Sequence, residues 1–314
     1  MQRAIRRLSC PPRIISANRP VSTSAASSLP AVSCIVTTID KLLVEDFRRE
    51  AFIPQEPRLI TISVDLNVNT AAHCSIAATR KWFILKPEGG QTLNIAYLER
   101  YKDVLLPYEL VSPKAERSNF LTESAIEDKT FQRFRAPLDL LLTASRSSPT
   151  PRLYIAQAQL LDLPQALRDD LPTPLVILKA GKGDIYDANI WMGIPPTYTP
   201  LHKDPNPNLF LQLASNKLVR LFNPDTGAPI FRDVQEKIRG HATPAFRGDE
   251  MMQGPERIAL EDAVWNCPRN TDGFEVVVRP GDALFIPKGW WHSIKSIGAD
   301  VTASVRILSA LEMH

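Results

Sequence analysis

The chain has few cysteines and no long apolar runs. Its four cysteines, Cys10, Cys34, Cys74 and Cys267, stand far apart and form no C-x-x-C pair. Disulfide frameworks and zinc sites need cysteines at short, repeated spacings, so neither is indicated, and the scattered thiols suit a reducing compartment. No apolar run approaches the roughly 20 residues that a membrane-spanning helix requires. The sequence therefore argues against disulfide-stapled and membrane-spanning classes.

The net charge of the chain is also small. The formal net charge is +3 at pH 7, and five arginines lie within the first nineteen positions. Without that segment the body of the chain is close to neutral, whereas proteins that bind acidic polymers usually carry a basic surface. We therefore expect no DNA partner.

Acidic residues are missing from the first 39 positions, where Asp40 is the first carboxylate. The same stretch is rich in arginine and serine, a composition typical of mitochondrial transit peptides. We predict that residues 1–39 are a transit peptide and that the mature chain starts between residues 25 and 40. The alternative is a disordered basic tail on a cytoplasmic or nuclear protein.

From residue 40 onward the sequence has the texture of a folded protein. With 314 residues, 44% of them hydrophobic, it can bury a large core in one or two domains. Residues 40–150 mix helical and strand patterns, including a predicted helix over residues 134–144. Residues 145–151 are predicted to be a linker, and residues 151–314 the core of the domain.

Short strands separated by proline, glycine and aspartate dominate residues 151–314. Residues 208–222 predict two strands with a turn at 214–216, residues 274–286 predict a hairpin, and residues 301–308 predict a closing strand. Residues 233–266 are long, charged and contain proline, so we predict an irregular insertion loop. Many short strands with regular turns indicate a mainly β protein with flanking helices, either a small barrel or a two-sheet jelly roll.

Two segments carry side chains that suit a metal ion. His202 and Asp204 form an H-x-D pair, and His292 follows an apolar run and a proline. Two imidazoles and one carboxylate on one face, with the other positions open, suit non-haem Fe(II) that must still bind oxygen and a co-substrate. These three residues are the predicted metal ligands and the catalytic centre.

Four further residues suit a dicarboxylic co-substrate. Lys217 offers an ammonium on the strand after the H-x-D pair, and Thr199 and Tyr154 offer hydroxyl groups. Asn208 lies shortly after the same pair. A lysine inside a barrel is costly unless an anion pairs with it, so an inward Lys217 would indicate an acidic ligand. The alternative is a surface lysine just after a turn.

These segments carry a family resemblance. The runs TPLHKDPNPNLFLQLASNK at residues 199–217 and FIPKGWWH at residues 285–292 resemble the JmjC-domain (cupin-like) hydroxylases that depend on Fe(II) and 2-oxoglutarate. The runs YIAQAQ at 154–159 and LPQALRDDL at 163–171 resemble the branch of arginyl and other single-domain protein hydroxylases. The resemblance covers about residues 40–314, and it implies a double-stranded β-helix (jelly-roll, cupin-like) barrel.

The resemblance also implies roles for single residues. His202, Asp204 and His292 would bind iron, and Lys217, Thr199 and Tyr154 would bind the distal carboxylate of 2-oxoglutarate. Asn208 would sit beside the co-substrate. Trp191 matches an aromatic near the active-site mouth, or is a buried structural residue.

One position departs from the family pattern. Many relatives have asparagine or serine with an aromatic in the last strand, where this chain has Arg306. Arg306 either reaches into the pocket as a second anion contact or faces solvent, and this difference concerns the side of the site where the primary substrate binds.

The resulting prediction is an oxygenase that uses Fe(II), 2-oxoglutarate and O2 to hydroxylate a protein or peptide side chain. The alternatives are a JmjC oxygenase that acts on a tRNA base, methyl-lysine or a small metabolite, and a non-catalytic cupin-like binding module. No obvious dimerisation helix follows Leu308, so we expect a monomer.

Overall fold

The computed structural model describes residues 34–37, 44–62, 76–113, 129–148, 150–181, 183–245, 253–266 and 272–310. Its strands are β1 (Cys34–Thr37), β2 (Arg58–Ile62), β3 (Phe83–Leu85), β4 (Gln91–Leu93), β5 (Leu105–Pro113), β6 (Lys129–Pro137), β7 (Leu153–Gln159), β8 (Asp184–Gly193), β9 (Tyr198–Lys203), β10 (Asn208–Ala214), β11 (Asn216–Phe222), β12 (Gly273–Val278), β13 (Ala283–Ile286), β14 (Trp291–Ile297) and β15 (Thr302–Ala310). Its α-helices are α1 (Val44–Phe47), α2 (Ala78–Lys81), α3 (Ile95–Leu98), α4 (Asp139–Ala144), α5 (Gln165–Asp169), α6 (Leu175–Ala180), α7 (Pro224–Ile238) and α8 (Gly254–Glu261). None of the helices in these ranges has the length and apolar character needed to cross a membrane.

Two sheets build the body of the protein. Within the described ranges, the larger sheet has nine strands in the order β1-β2-β13-β10-β15-β8-β7-β5-β6, and the smaller has four in the order β12-β11-β14-β9. Lys217 on β11 of the smaller sheet donates hydrogen bonds to Tyr154 on β7 and Ser304 on β15 of the larger one, so the sheets face each other. This architecture is a jelly-roll barrel. The predicted fold class, mainly β with flanking helices, is confirmed.

Strand β15 shows how the sequence separates the core from the barrel interior. Ala303, Val305 and Ile307 point outward and join the main apolar cluster, which includes buried residues of the helices. Ser304 and Arg306 alternate with them and point inward, where they contact polar side chains of other strands. Successive residues of a strand point to opposite faces. The same strand therefore joins the main apolar cluster on one face and contacts buried polar side chains on the other.

A second apolar cluster lies between the two sheets. It takes buried residues from both, namely Leu59, Phe210, Val219, Leu221, Val276, Val278, Leu284, Ile286 and Ile294. Such side chains stay in close contact because removing their apolar surface from water is favourable. This cluster ties the sheets together and confines the polar residues to the remainder of the interior.

The prediction of two strands over residues 208–222 is confirmed. Strand β10 ends at Ala214 and β11 begins at Asn216. Ser215 takes a left-handed backbone conformation (φ 55°), and its hydroxyl donates to the Val301 carbonyl at 2.8 Å. This turn decides which face of β11 points inward, and it directs Lys217 into the barrel.

The predicted hairpin over residues 274–286 is wrong, although both of its strands exist. Strand β12 pairs with β11 in the smaller sheet, whereas β13 pairs with β10 and β2 in the larger sheet. The turn between them has Gly281 at φ 91°, and the Asp282 carboxylate accepts from the Arg279 backbone N–H at 2.9 Å. The turn residues specify a sharp reversal, and this reversal carries the chain from one sheet to the other.

Two other predicted elements also differ. Residues 134–144 were predicted to be one helix, yet β6 extends to Pro137 and α4 begins at Asp139, because β6 pairs along β5 and Phe134 stacks on Tyr108. The segment 233–266 was predicted to be an irregular loop, yet α7 and α8 cover about half of its described residues. Apolar side chains of both helices pack in one cluster with Trp291, which stabilises them as helices.

The N-terminal part is continuous with the barrel. Strand β5 pairs with both β6 and β7, so the predicted linker at residues 145–151 joins strands of one sheet and separates no domains. Strand β1 pairs with β2, so the larger sheet includes residues that precede the predicted boundary at residue 40. The rest of residues 1–39 lies outside the described residues.

Candidate metal and co-substrate site

The two histidines of the predicted triad face each other across neighbouring strands. His202 near the end of β9 lies directly opposite His292 near the start of β14, and their ring centroids are 4.2 Å apart. Asp204 follows β9 directly, two residues beyond His202 on the same side of the chain. The antiparallel pairing of these two strands thus brings together residues that are far apart in sequence.

The triad has the dimensions of a metal site. One ligand atom from each of His202, Asp204 and His292 lies within 4.8 Å of the others, and all three residues are at most 5% exposed. The outer Nδ1 of His202 donates to the Pro200 carbonyl at 2.9 Å, and that of His292 to the Trp290 carbonyl at 3.3 Å. A donating Nδ1–H leaves Nε2 with a free lone pair. Each ring can therefore present Nε2 to a metal.

The protonation states suit a cation. Burial lowers the pKa of His202 to about 3 and also lowers the pKa of His292, so both rings are neutral at pH 7. Burial alone would raise the pKa of Asp204, but His292, His202 and Arg306 outweigh it and hold that pKa below its usual value. One carboxylate and two neutral imidazoles form a donor set that fits Fe(II).

Lys217 lies in the same interior and is only 4% exposed. Its ammonium donates to the Ser304 hydroxyl at 2.9 Å and to the Tyr154 hydroxyl at 3.2 Å. Both partners are neutral, and no carboxylate forms an ion pair with Lys217 within the described part of the chain. Burial lowers the pKa of Lys217 to about 7. A buried cation with only neutral partners is energetically costly unless an anion pairs with it.

Comparison with known families agrees with this geometry. Residues 73–307 match the family described as "Cupin-like domain". The match spans most of the chain and includes every residue of the triad. The chain belongs to the cupin-like domain family.

The relatives of this cupin-like protein include lysine-specific demethylases and a Jumonji C domain-containing protein. It is 26% identical to "Lysine-specific demethylase JMJ30" of Arabidopsis thaliana over 286 residues, which are 88% of this chain and 56% of that protein. It is 27% identical to "Lysine-specific demethylase 8" of Danio rerio over 48% of this chain and 35% of that protein. It is 24% identical to "Jumonji C domain-containing protein 5" of Drosophila melanogaster over 84% of this chain and 57% of that protein. The matched region is at most a little more than half of each relative's own length. The resemblance to JmjC proteins is confirmed at family level.

Asn208 of the cupin-like domain lies beside the triad. Its Nδ2 donates to Asp204 Oδ2 at 2.9 Å, and the same oxygen lies 3.6 Å from His292 Nε2. Its Oδ1 is buried and has no hydrogen-bond partner within the described ranges. Asn208 thus restrains the Asp204 carboxylate and lies beside the triad.

The other predicted co-substrate residues differ in their placement. Tyr154 bonds to Lys217 as described above, and Trp191 packs against Tyr154 with ring centroids 6.0 Å apart. Thr199 lies on β9, where its backbone carbonyl accepts from Ser293, and no hydrogen bond joins its hydroxyl to Lys217 within the described residues. The structure thus brings Tyr154 and Lys217 together and leaves Thr199 outside that direct contact.

Two residues of the interior, Ser304 and Asp187, were absent from the prediction. Ser304 bonds to Lys217, and Arg306 lies inside the barrel between Asp204 and Asp187. Arg306 does not face solvent: its side chain points into the barrel and pairs with Asp204 and Asp187, and its role as a second anion contact stays a prediction. The alternation of β15 could have indicated Ser304, because that residue is polar between outward-facing apolar ones.

Proposed function

We propose that this protein is an Fe(II)- and 2-oxoglutarate-dependent oxygenase that hydroxylates a protein side chain. The observation that carries the proposal is the presence, in one barrel interior, of the His202–Asp204–His292 triad and the buried Lys217 ammonium. The triad would hold the metal, and Lys217 with Tyr154 and Ser304 would hold the distal carboxylate of the co-substrate. A non-catalytic binding module would need neither group.

The residues of the site prepare the reaction without supplying its oxidising power. When bound, Fe(II) and 2-oxoglutarate together provide the means to activate O2 and oxidise a C–H bond, with succinate and carbon dioxide as co-products. The chain orients the ligands: the Pro200 and Trp290 carbonyls hold the two imidazoles, and Asn208 holds the Asp204 carboxylate. The buried setting excludes water and strengthens the interactions of Lys217 with an anion.

Two outcomes on a protein substrate are supported, and a mass measurement separates them. The near-neutral charge of the body of the chain argues against a nucleic-acid substrate. Two of the relatives are named lysine-specific demethylases, which supports a protein substrate and makes lysine demethylation the second candidate reaction. We would incubate the full chain with Fe(II), 2-oxoglutarate and a library of unmodified and methylated peptides, beside His202→Ala. Gain of one oxygen by an unmodified peptide is expected. Loss of methyl groups alone would support demethylation instead.

Binding of 2-oxoglutarate is expected to weaken as the pH rises through 7. Lys217 has a pKa of about 7, so its ammonium form prevails below that pH and its neutral amine above it. Above pH 7 the amine must take up a proton to pair with the carboxylate, which costs up to about tenfold in affinity for each pH unit. Calorimetric titration of the Mn(II)-loaded protein from about pH 6 to about pH 8, in two buffers of different ionisation enthalpy, measures this proton uptake.

Lys217→Arg is the control for this titration. A guanidinium keeps its charge throughout that range, so proton uptake should disappear in the variant even if its affinity is lower. Constant wild-type affinity with no proton uptake would show that Lys217 is not the residue that binds the anion.

A further inference from the structure

Arg306 connects the metal-ligand carboxylate to a second carboxylate. On β15, its Nη1 donates to Asp204 Oδ1 at 3.2 Å and its Nη2 donates to Asp187 Oδ2 at 2.9 Å. The side chain of Arg306 is 13% exposed, that of Asp204 4% and that of Asp187 26%. The guanidinium is therefore a largely buried bridge between the centre of the site and a partly exposed acid.

The outer end of this bridge is fixed by other strands. Asp187 on β8 accepts from Gln159 Nε2 on β7 at 2.9 Å and from Asn189 Nδ2 on its own strand. Arg306 also lies directly opposite Asn189 in the pairing of β15 with β8. Hydrogen bonds from Gln159 and Asn189 thus fix the Asp187 carboxylate, and this carboxylate holds the outer side of the guanidinium.

The inner end restrains one oxygen of Asp204 and leaves the other to the metal. Oδ1 faces Arg306, whereas Oδ2 accepts from Asn208 and lies on the side of His292. Outer hydrogen bonds of this kind orient metal ligands and strengthen metal binding. A carboxylate held on Oδ1 cannot rotate away from the position in which Oδ2 faces the imidazoles.

A cation beside a metal ligand also has an electrostatic cost. A lone guanidinium near the site would repel a divalent metal ion, and burial would strengthen that repulsion. Asp187 removes most of this cost because its negative charge balances Arg306 on the far side. The pair therefore contributes orientation with little net positive charge.

We propose that Arg306 is a positioning residue that turns Asp204 Oδ2 toward the two histidines, with Asp187 as the counter-charge that makes this arrangement compatible with a divalent metal. The inference rests on the proposed function only in that the triad binds a metal. Beyond that function, the inference is that metal affinity depends on Asp187, although this residue does not contact the triad within the described residues.

A double-mutant cycle on metal affinity tests this inference. Full-length apoprotein is titrated with Co(II), with the absorption of bound Co(II) and calorimetry as readouts, for wild type, Arg306→Met, Asp187→Asn and the double variant. We expect Arg306→Met to weaken binding by about 10- to 100-fold. Asp187→Asn should also weaken it, whereas the same change in the Arg306→Met background should have less than about a threefold effect.

A matched pair on the other sheet provides the control. Arg220 forms a similarly buried ion pair with Glu275 at 2.8 Å and does not contact the triad. Arg220→Met should leave Co(II) affinity unchanged, which separates positioning from a general loss of packing. The inference is overturned if Arg306→Met binds Co(II) as tightly as wild type, or if Asp187→Asn has the same effect in both backgrounds.

The nearly isosteric Asp187→Asn keeps the test usable if Arg306→Met does not fold. In that case Asp187→Asn alone must weaken Co(II) binding, and unchanged affinity would overturn the inference. If the wild type binds Co(II) well and the variants bind it with the same affinity, the positioning role fails while the triad remains a metal site. If wild type itself does not bind Co(II), both the inference and the proposed function fail.

Discussion

Replacing His202 by alanine is expected to weaken divalent-metal binding by at least about 100-fold, because residues that merely hydrogen-bond to metal ligands already contribute up to that factor. His202 is one of three buried donors, and no other histidine, cysteine or carboxylate joins their cluster within the described residues. Oxygenase turnover of His202→Ala should fall to background, because the variant no longer holds the metal. Titration of the full-length apoprotein with Mn(II), followed by electron paramagnetic resonance of the free ion, measures this loss.

His241→Ala is the matched control for this prediction. His241 is exposed and lies in an irregular stretch after α7, so its loss should leave Mn(II) affinity unchanged. Wild-type affinity in His202→Ala would remove this residue from the metal site. Equal losses in both variants would mean that the titration reports surface binding and that the triad assignment lacks support.

Replacing Lys217 by methionine is expected to separate co-substrate affinity from stability. The lost ion pair with a buried carboxylate should weaken 2-oxoglutarate binding by about 30- to 5000-fold, because removing one partner of such a pair costs about 2–5 kcal/mol. The free energy of unfolding of the protein without co-substrate should rise, because a buried ammonium with only neutral partners is replaced by an apolar side chain. Calorimetry with 2-oxoglutarate and chemical denaturation measure the two effects.

Weaker 2-oxoglutarate binding together with a higher free energy of unfolding identifies a lysine that binds the ligand. A lysine that only supports the fold would lower stability when it is removed and would leave 2-oxoglutarate binding largely intact. Lys237→Met, at an exposed position on α7, should change neither quantity. Unaltered 2-oxoglutarate affinity in Lys217→Met would contradict the proposed role.

Local sequence patterns predicted the parts of the site that lie close together in the chain. In the H-x-D pair, His202 and Asp204 are two residues apart, and this spacing directs both side chains to one face. The turn at Ser215 was readable from its residues, and it led to the correct strands β10 and β11. Whether Lys217 faced the interior or the solvent depended on the strand register, which only the structure resolved.

Contacts between distant segments could not be read in the same way. His292 was predicted from its position after an apolar run and a proline, and the family resemblance supported it, but no local pattern shows that β14 pairs with β9. The bridge from Asp204 through Arg306 to Asp187 requires β15 to lie between β8 and β10. These are long-range pairings whose register depends on the buried face of each strand.

The failed hairpin has a related physical cause. A proline, a glycine and an aspartate predict a sharp turn, but the same turn serves a hairpin within one sheet and a crossing between two sheets. The apolar residues of β12 and β13 suit either arrangement, and pairing with β11 and β10 decides between them. At residues 233–266, the many charged residues and the prolines led to the prediction of a loop. The apolar residues that pack near Trp291 and stabilise the helices were given too little weight.

The most direct test of the proposed function is succinate formation by the full-length protein with Fe(II), O2 and 2-oxoglutarate. Many oxygenases of this kind turn over slowly without their primary substrate, so the assay does not require the substrate to be known. We expect succinate in wild type that depends on each of the three components and is absent in His202→Ala. No succinate, together with no detectable 2-oxoglutarate binding by the metal-loaded protein, would contradict the account and favour a non-catalytic binding module.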